Sequence, residues 1–259
     1  MSIHSLKSAI DNITYCHYPY PKEAVQYLVD HKDDPGVRET LLKTLQDLAQ
    51  DPQQYIPKNN PGYMQHLYAM FLLAQFKEQA AYPLLINLLK LPAQYHEPGE
   101  PEEIMADVLC YEMDRILASV FDGNIEPLKE MIGKVYYNTW ARLAALATLT
   151  LLYRNNAYSR SALTDYFKSL LLSPDIQLNR VFFGLAVCDL TDLHCDTLHP
   201  IIKTCFEKNL IAPEYMDYEI YIASQAEPNS QTPLIENTID EMKNWSCFKE
   251  LIFSEAIIR

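Results

Sequence analysis

The sequence predicts an all-α fold, a right-handed α-solenoid of stacked helix pairs with an N-terminal helical cap and a C-terminal helical tail. Three observations predict it. Apolar residues recur at helical spacing along most of the chain. Glycine is scarce, 6 in 259 residues, and no alternating run is bounded by hairpin residues. Pro83, Pro127 and Pro200 recur in the same local setting, which marks a repeated unit. The expected organisation is one continuous unit: a cap over 1–62, a repeat core over 63–212 and a tail over 213–259. Caps are expected because the end copies of a stack would otherwise expose apolar faces.

Pro21 opens a helix carrying Ala24, Leu28 and Val29, and Pro35-Gly36 breaks it. A second helix runs over 37–50 on Leu41, Leu42, Leu45 and Leu48. Residues 51–62, with Pro52, Pro57, Pro61 and Gly62, read as a linker loop. Beyond it helices come in pairs. First members fall near 64–76, 105–121, 139–154 and 178–191, and second members near 79–91, 124–135, 157–172 and 197–209. Each of the three prolines sits in or near the first turn of a second member, where its missing N–H costs little. Their separations are 44 and 73 residues, the latter about two steps of 36 with a midpoint near Leu163. The first step is long by about eight residues, and 92–101 is the insertion that lengthens it.

The net charge is −13 and there is no Lys/Arg-rich run, which argues against nucleic acid, since that affinity rests on cations displacing counterions. Neither GxGxxG nor GxxxxGK[ST] occurs, so nucleotide binding by those loops is excluded. No stretch approaches the ~20 apolar residues of a membrane span. The N-terminus has no apolar signal region, and the six cysteines form no CxxC. A cytoplasmic protein with free thiols is expected, with signal-less export left open.

Arg142-Leu143-Ala144-Ala145-Leu146 resembles the first helix of HEAT-like repeats, whose small residues allow close helix approach. Tyr68-Ala69, Leu72-Leu73-Ala74-Gln75-Phe76 and Ala81-Tyr82-Pro83 resemble the bacterial family called domain of unknown function 1186, as do 115–123, Asp189-Leu190 and 206–211. The resemblance spans roughly 9–215 and implies a HEAT-like helical fold with no established activity. Some members carry a C-terminal Cys/His zinc tail. Here 229–259 holds only Cys247 and no His, so that metal site is not carried over.

No metal, cofactor or catalytic residue is expected. Cys188, His194, Cys195 and His199 carry zinc-ligand atoms but not a two-plus-two spacing, and whether they meet in space stays open. Cys110 with His96 and Asp107, and Cys16 beside His17, lack the spacing of a nucleophile with its base, so structural thiols are expected. Glu102, Glu103, Asp107, Glu112 and Asp114 crowd the start of the 105–121 helix, where acids meet its positive end.

The expected function is a non-catalytic scaffold that binds a protein or peptide partner on the concave face. In HEAT-like stacks the second helices usually line that face. Those helices carry Lys90, Lys129, Lys134, Lys168 and Lys203, so a neutral-to-basic groove suited to an acidic segment is expected. Tyr95, His96 and Glu97 of the inserted loop are further candidate partner contacts. The alternative is an enzyme or small-ligand carrier, by analogy with HEAT-like bilin lyases.

Overall fold

In the computed structural model, residues 3–97, 99–105, 107–191, 193, 195–225 and 232–249 are described, and they form helices joined by turns. Among them the sole β feature is an isolated antiparallel bridge between Tyr15 and Tyr63. No helix among the described residues is long and apolar enough to cross a membrane.

Three helices open the chain: α1 (Leu6–Ile13), α2 (Lys22–Asp30) and α3 (Pro35–Gln50). Ser5 caps α1, and the Asp34 carboxylate accepts the Gly36 amide at the start of α3, with Pro35 in the first turn. The paired region follows: α4 (Gln65–Gln75) with α5 (Ala81–Leu89), then α6 (Val108–Tyr111) and α7 (Met113–Ser119) with α8 (Glu126–Gly133). Next come α9 (Thr139–Arg154) with α10 (Arg160–Leu171), α11 (Pro174–Leu178), and α12 (Arg180–Thr191) with α13 (His199–Glu207). Helices α14 (Tyr218–Ser224) and α15 (Thr238–Met242) complete the described chain.

Pro83, Pro127 and Pro200 occupy the second or third position of α5, α8 and α13. Helix α10 lacks such a proline, and Ser159 caps it instead by accepting the Ala162 amide. Two side-chain contacts join the α5 and α8 regions at similar offsets along the chain. Tyr82 Oη donates to the Asn124 carbonyl (3.0 Å), and Lys90 pairs with Glu130 (2.9 Å). The turns after α4, α9 and α13 place Lys77, Asn156 and Asn209 in the left-handed region, at φ 56°, 59° and 53°. In each, the next amide reaches back to the helix, as Ala157 N does to Leu152 O (2.8 Å).

The first members pack in a row, α4 on α7, α7 on α9, α9 on α12, and α12 on α14. Helix α4 is enclosed by α3, α7, α15 and α1, and a helix surrounded in this way has no solvent face. Accordingly every residue of α4 from 66 to 74 is buried. In α9, Arg142 is fully buried, donating through Nε to the Ile132 carbonyl (3.1 Å) with its guanidinium 3.7 Å over the Phe182 ring. Burial lowers its pKa to about 10, and it links α8, α9 and α12.

Two expectations change, and the tail takes a course that the sequence left unspecified. The helix over 105–121 is two helices, bent at Glu112 (φ −131°). The Glu112 amide still bonds Val108 O and its carbonyl accepts from Ile116 N, so backbone bonds reach Glu112 from both sides of the bend. The insertion 92–101 is not a loose loop over its described residues, because Tyr95 and His96 are buried. The described part of the tail, 232–249, does not extend the row. It runs back so that α15 packs on α2 and α4.

Arg115 holds that returning segment. It donates to both Glu241 carboxylate oxygens (2.9 and 2.6 Å), to Glu112 (2.6 Å) and to the Pro233 carbonyl (2.7 Å). Ser119 Oγ accepts the Ile235 amide (3.0 Å), and Gln75 accepts the Thr238 amide (2.9 Å). Trp245 then packs edge-on against Phe71.

Candidate functional site

Two clefts open on the side of the first helices. The larger, about 640 Å³, lies between the loop after α3, the start of α4, the segment leading into α6, and the returning tail. Tyr55, Tyr63, Tyr111 and Trp245 supply aromatic walls, and Glu100, Glu103, Asp107 and Glu112 supply carboxylates. Among the described residues no Lys or Arg lines it.

His66 lies in its wall. Its ring stacks on Tyr63, with centroids 5.3 Å apart and planes within 8°. Nε2 is 2.6 Å from the Ile104 carbonyl, which only accepts, so Nε2 carries the proton and Nδ1 presents a lone pair. That Nδ1 is buried and has no hydrogen-bond partner. Burial lowers the His66 pKa to about 4, so the ring is neutral at physiological pH.

Two of the carboxylates are engaged. Glu103 accepts the Gly99 amide (2.8 Å) and Glu112 is paired with Arg115. Neither Glu100 nor Asp107 meets a cation among the described residues. The local field is negative: the nearby Cys110 thiol is pushed up, by burial first and then by Asp107, Glu103 and Glu97.

The smaller cleft, about 270 Å³, adjoins the first at Tyr111, which lines both and is 72% exposed. Ala144 and Ala147 of α9 leave the hollow, with Trp140, Leu143 and Leu185 around it. Asp114 and Asp189 face it, and among the described residues no Lys or Arg does. Burial, with Glu112 nearby, raises the Asp114 carboxyl to about 6, and burial with Asp189 raises the Cys188 thiol to about 11.

The sequence-predicted contacts lie elsewhere. Lys90, Lys129, Lys134, Lys168 and Lys203 line neither cleft. Lys90 is paired with Glu130, and Lys129 with Glu126 (3.0 Å) beside the Tyr158 and Tyr166 rings. Tyr95 is 6% exposed and accepts from Gln53 (2.7 Å), and Glu97 accepts from Asn138 (2.8 Å). His96 is 1% exposed. Tyr95 and His96 belong to the packing, while Glu97 is exposed and tied to Asn138. Both clefts lie on the side of the first helices and have acidic linings, whereas the sequence pointed to a neutral-to-basic groove on the second helices.

Cys188, Cys195 and His199 are not brought together. Cys188 approaches the Tyr215 carbonyl, Cys195 contacts Thr164 and Thr197, and His199 lies between Tyr218 and Tyr221. His194 lies outside the described residues. Cys16 and His17 point apart, one to the Cys247 carbonyl and the other to Asn12.

The carboxylates of the larger cleft were visible in the sequence but assigned to a helix terminus. Glu103 and Asp107 in fact precede α6, which begins at Val108. Tyr55, Tyr63 and His66 had no motif around them, and Trp245 reaches the cleft only through the return of the tail.

The chain matches the family model described as "Protein of unknown function (DUF1186)" over residues 4–249. Two chlamydial proteins, from Chlamydia muridarum (strain MoPn / Nigg) and Chlamydia trachomatis serovar D, are each 30% identical to it over 246 residues. Each alignment spans 91% of this chain and 94% of the relative, and both relatives carry the description "Uncharacterized protein". No solved structure matches it. With nearly its whole length inside the family model, the chain belongs to the DUF1186 family.

Proposed function

We propose that this chain is a non-catalytic binding scaffold, a solenoid of HEAT-like helix pairs, that receives a protein or peptide segment on the face of its first helices. The observation that carries the reading is the meeting of the two clefts at Tyr111, which makes one uneven groove across α4, α6, α9 and α12. Exposed Tyr111 would divide it into two side-chain pockets. Apolar walls and a carboxylate-only charge set favour a segment mixing apolar and basic residues.

Binding accounts for the groups present better than covalent chemistry does. The thiols at the clefts, Cys110, Cys188 and Cys247, are all pushed up by burial, so each is a poor nucleophile. The six free cysteines fit a reducing compartment such as the cytoplasm.

A peptide array of defined charge, probed with the intact chain, tests the proposal. Peptides combining Lys or Arg with apolar residues are expected to bind. Ala147→Arg, which fills the smaller cleft with a cation, is expected to abolish that binding. Changing Lys129, Lys168 and Lys203 together to Glu is expected to leave it unchanged. Preferential capture of acidic peptides, or sensitivity to the lysine changes and not to Ala147→Arg, would return the site to the second helices.

A further inference from the structure

We infer that the larger cleft is a binding site for an alkylammonium group on a flexible aliphatic chain. The inference rests on the proposal above only in taking the first-helix face as the recognition face. The chemical class follows from the walls. Glu100 and Asp107 bring negative charge that no cation among the described residues neutralises, and the cleft itself holds no Lys or Arg. Tyr55, Tyr63, Tyr111 and Trp245 offer π faces, which attract a cation and also cover methylene groups. An anion would meet carboxylates on several sides.

His66 makes the choice narrower. Its side chain is 3% exposed and lines the cleft. The Ile104 carbonyl fixes the proton on Nε2, which leaves Nδ1 as a buried acceptor without a donor. A ligand that completes this site must bring an N–H or O–H. Together with the field, that selects a protonated amine over a quaternary ammonium, which has no such hydrogen. A metal ion is a poorer fit, since no group of three or more metal-ligating side chains converges among the described residues. A guanidinium calls for a coplanar carboxylate fork. An ammonium has three rotatable donors and suits one lone pair plus carboxylates on separate walls. The volume, about 640 Å³, has room for the methylene chain behind the head group.

A free polyamine and a lysine side chain share this chemistry, and a titration separates them. The chain has two tryptophans, so Trp140→Phe leaves Trp245, in the cleft wall, as the single fluorescent reporter. This protein is titrated with spermidine, with a lysine-bearing peptide and its N-acetyl-lysine counterpart, and with choline. A saturable change with spermidine or the lysine peptide is expected, weaker by tenfold or more with choline and acetyl-lysine. Glu100→Gln with Asp107→Asn, both exposed positions, is expected to weaken binding at least tenfold while the circular dichroism and melting curve stay unchanged.

No saturable response to either amine, or equal binding of choline, or indifference to the two neutralisations, overturns the inference. The two proposals fail separately. Spermidine binding without any peptide capture leaves this site standing and refutes the scaffold. Peptide capture lost in Ala147→Arg but untouched by Glu100→Gln and Asp107→Asn does the reverse.

Discussion

Replacing Arg115 with alanine should loosen the returning tail without unfolding the helix row. The guanidinium is 12% exposed and its partners Glu241 and Glu112 are 22% and 28% exposed, so the cluster is mostly sheltered but not dry. It donates to three carboxylate oxygens and one carbonyl. Charge-assisted bonds contribute about 1.5–3 kcal/mol each, but bonds sharing one guanidinium do not add. Breaking a buried pair costs about 3–5 kcal/mol, and partial exposure places this one at about 3 kcal/mol. At 1.4 kcal/mol per factor of ten, the tail's opening equilibrium rises about 100-fold. Hydrogen exchange reads this directly. Amides of α15 that bond within the helix, such as Lys243 N to Ile239 O, should lose about two orders of magnitude of protection. Those inside α9, which has no contact with Arg115 beyond its packing on α7, should keep theirs. Arg115→Lys should recover only part of the effect, because an ammonium cannot bridge both Glu241 oxygens. Unchanged α15 protection, or an equal fall in α9, would refute the claim that Arg115 is a local fastener.

Acid should weaken the fold through His66 and His96. Burial holds both at about 4, while an unfolded histidine titrates near 6.5. Between those values the unfolded chain takes up protons that the folded chain refuses, so stability is full above about 6.5 and lost as pH falls toward 4. Asp114, lifted by burial to about 6, acts in the opposite sense, costing stability as pH rises from about 4 to 6. Asp114→Asn should therefore raise neutral-pH stability by about 1–2 kcal/mol and steepen the acid loss, as urea midpoints from pH 4 to 8 would record. Flat midpoints below pH 6 would contradict the histidine assignment. Asn156, at φ 59°, should tolerate glycine, whereas Asn156→Ala should cost about 1 kcal/mol in chemical denaturation.

What the sequence made legible is what helical periodicity and helix starts encode locally. Pro83, Pro127 and Pro200 lie in the opening turns of their helices because proline there suffers no lost hydrogen bond. The bend at Glu112 was hidden, since Met113, Ile116 and Leu117 continue the apolar period across it. A charge count along the second helices does not say which carboxylate meets which lysine, and it left unseen that Glu130 pairs with Lys90 and Glu126 with Lys129. Tyr95 and His96 looked like a polar loop because nothing local says that an insertion folds inward. Trp245 was out of reach for a similar reason. Its place is set by Arg115 and Glu241, 126 residues apart, and no periodicity speaks to a contact of that kind.

The 92–101 insertion and the returning tail meet at the larger cleft, so a ligand bound there should be coupled to tail docking. One wall comes from Glu100, inside the 92–101 insertion, and Glu103, just beyond it, and another from Trp245, Ser246 and Cys247. Arg115 fastens the tail through Glu241 and also holds Glu112, a lining residue. A ligand that needs the Trp245 wall binds only the docked form, so its apparent Kd equals the intrinsic Kd divided by the docked fraction. In Arg115→Ala alone, affinity should change by less than about twofold so long as the docked form still dominates. Met242 is fully buried, and truncating it to alanine removes about 2–5 kcal/mol more from docking. Once exchange shows the open form in the majority, affinity for spermidine should fall by the same factor as the docked fraction. Reciprocally, saturating spermidine should restore α15 protection in Arg115→Ala. Affinity that holds firm while the tail is mostly open would mean that the ligand does not touch Trp245, and that the tail is only a cover for α4.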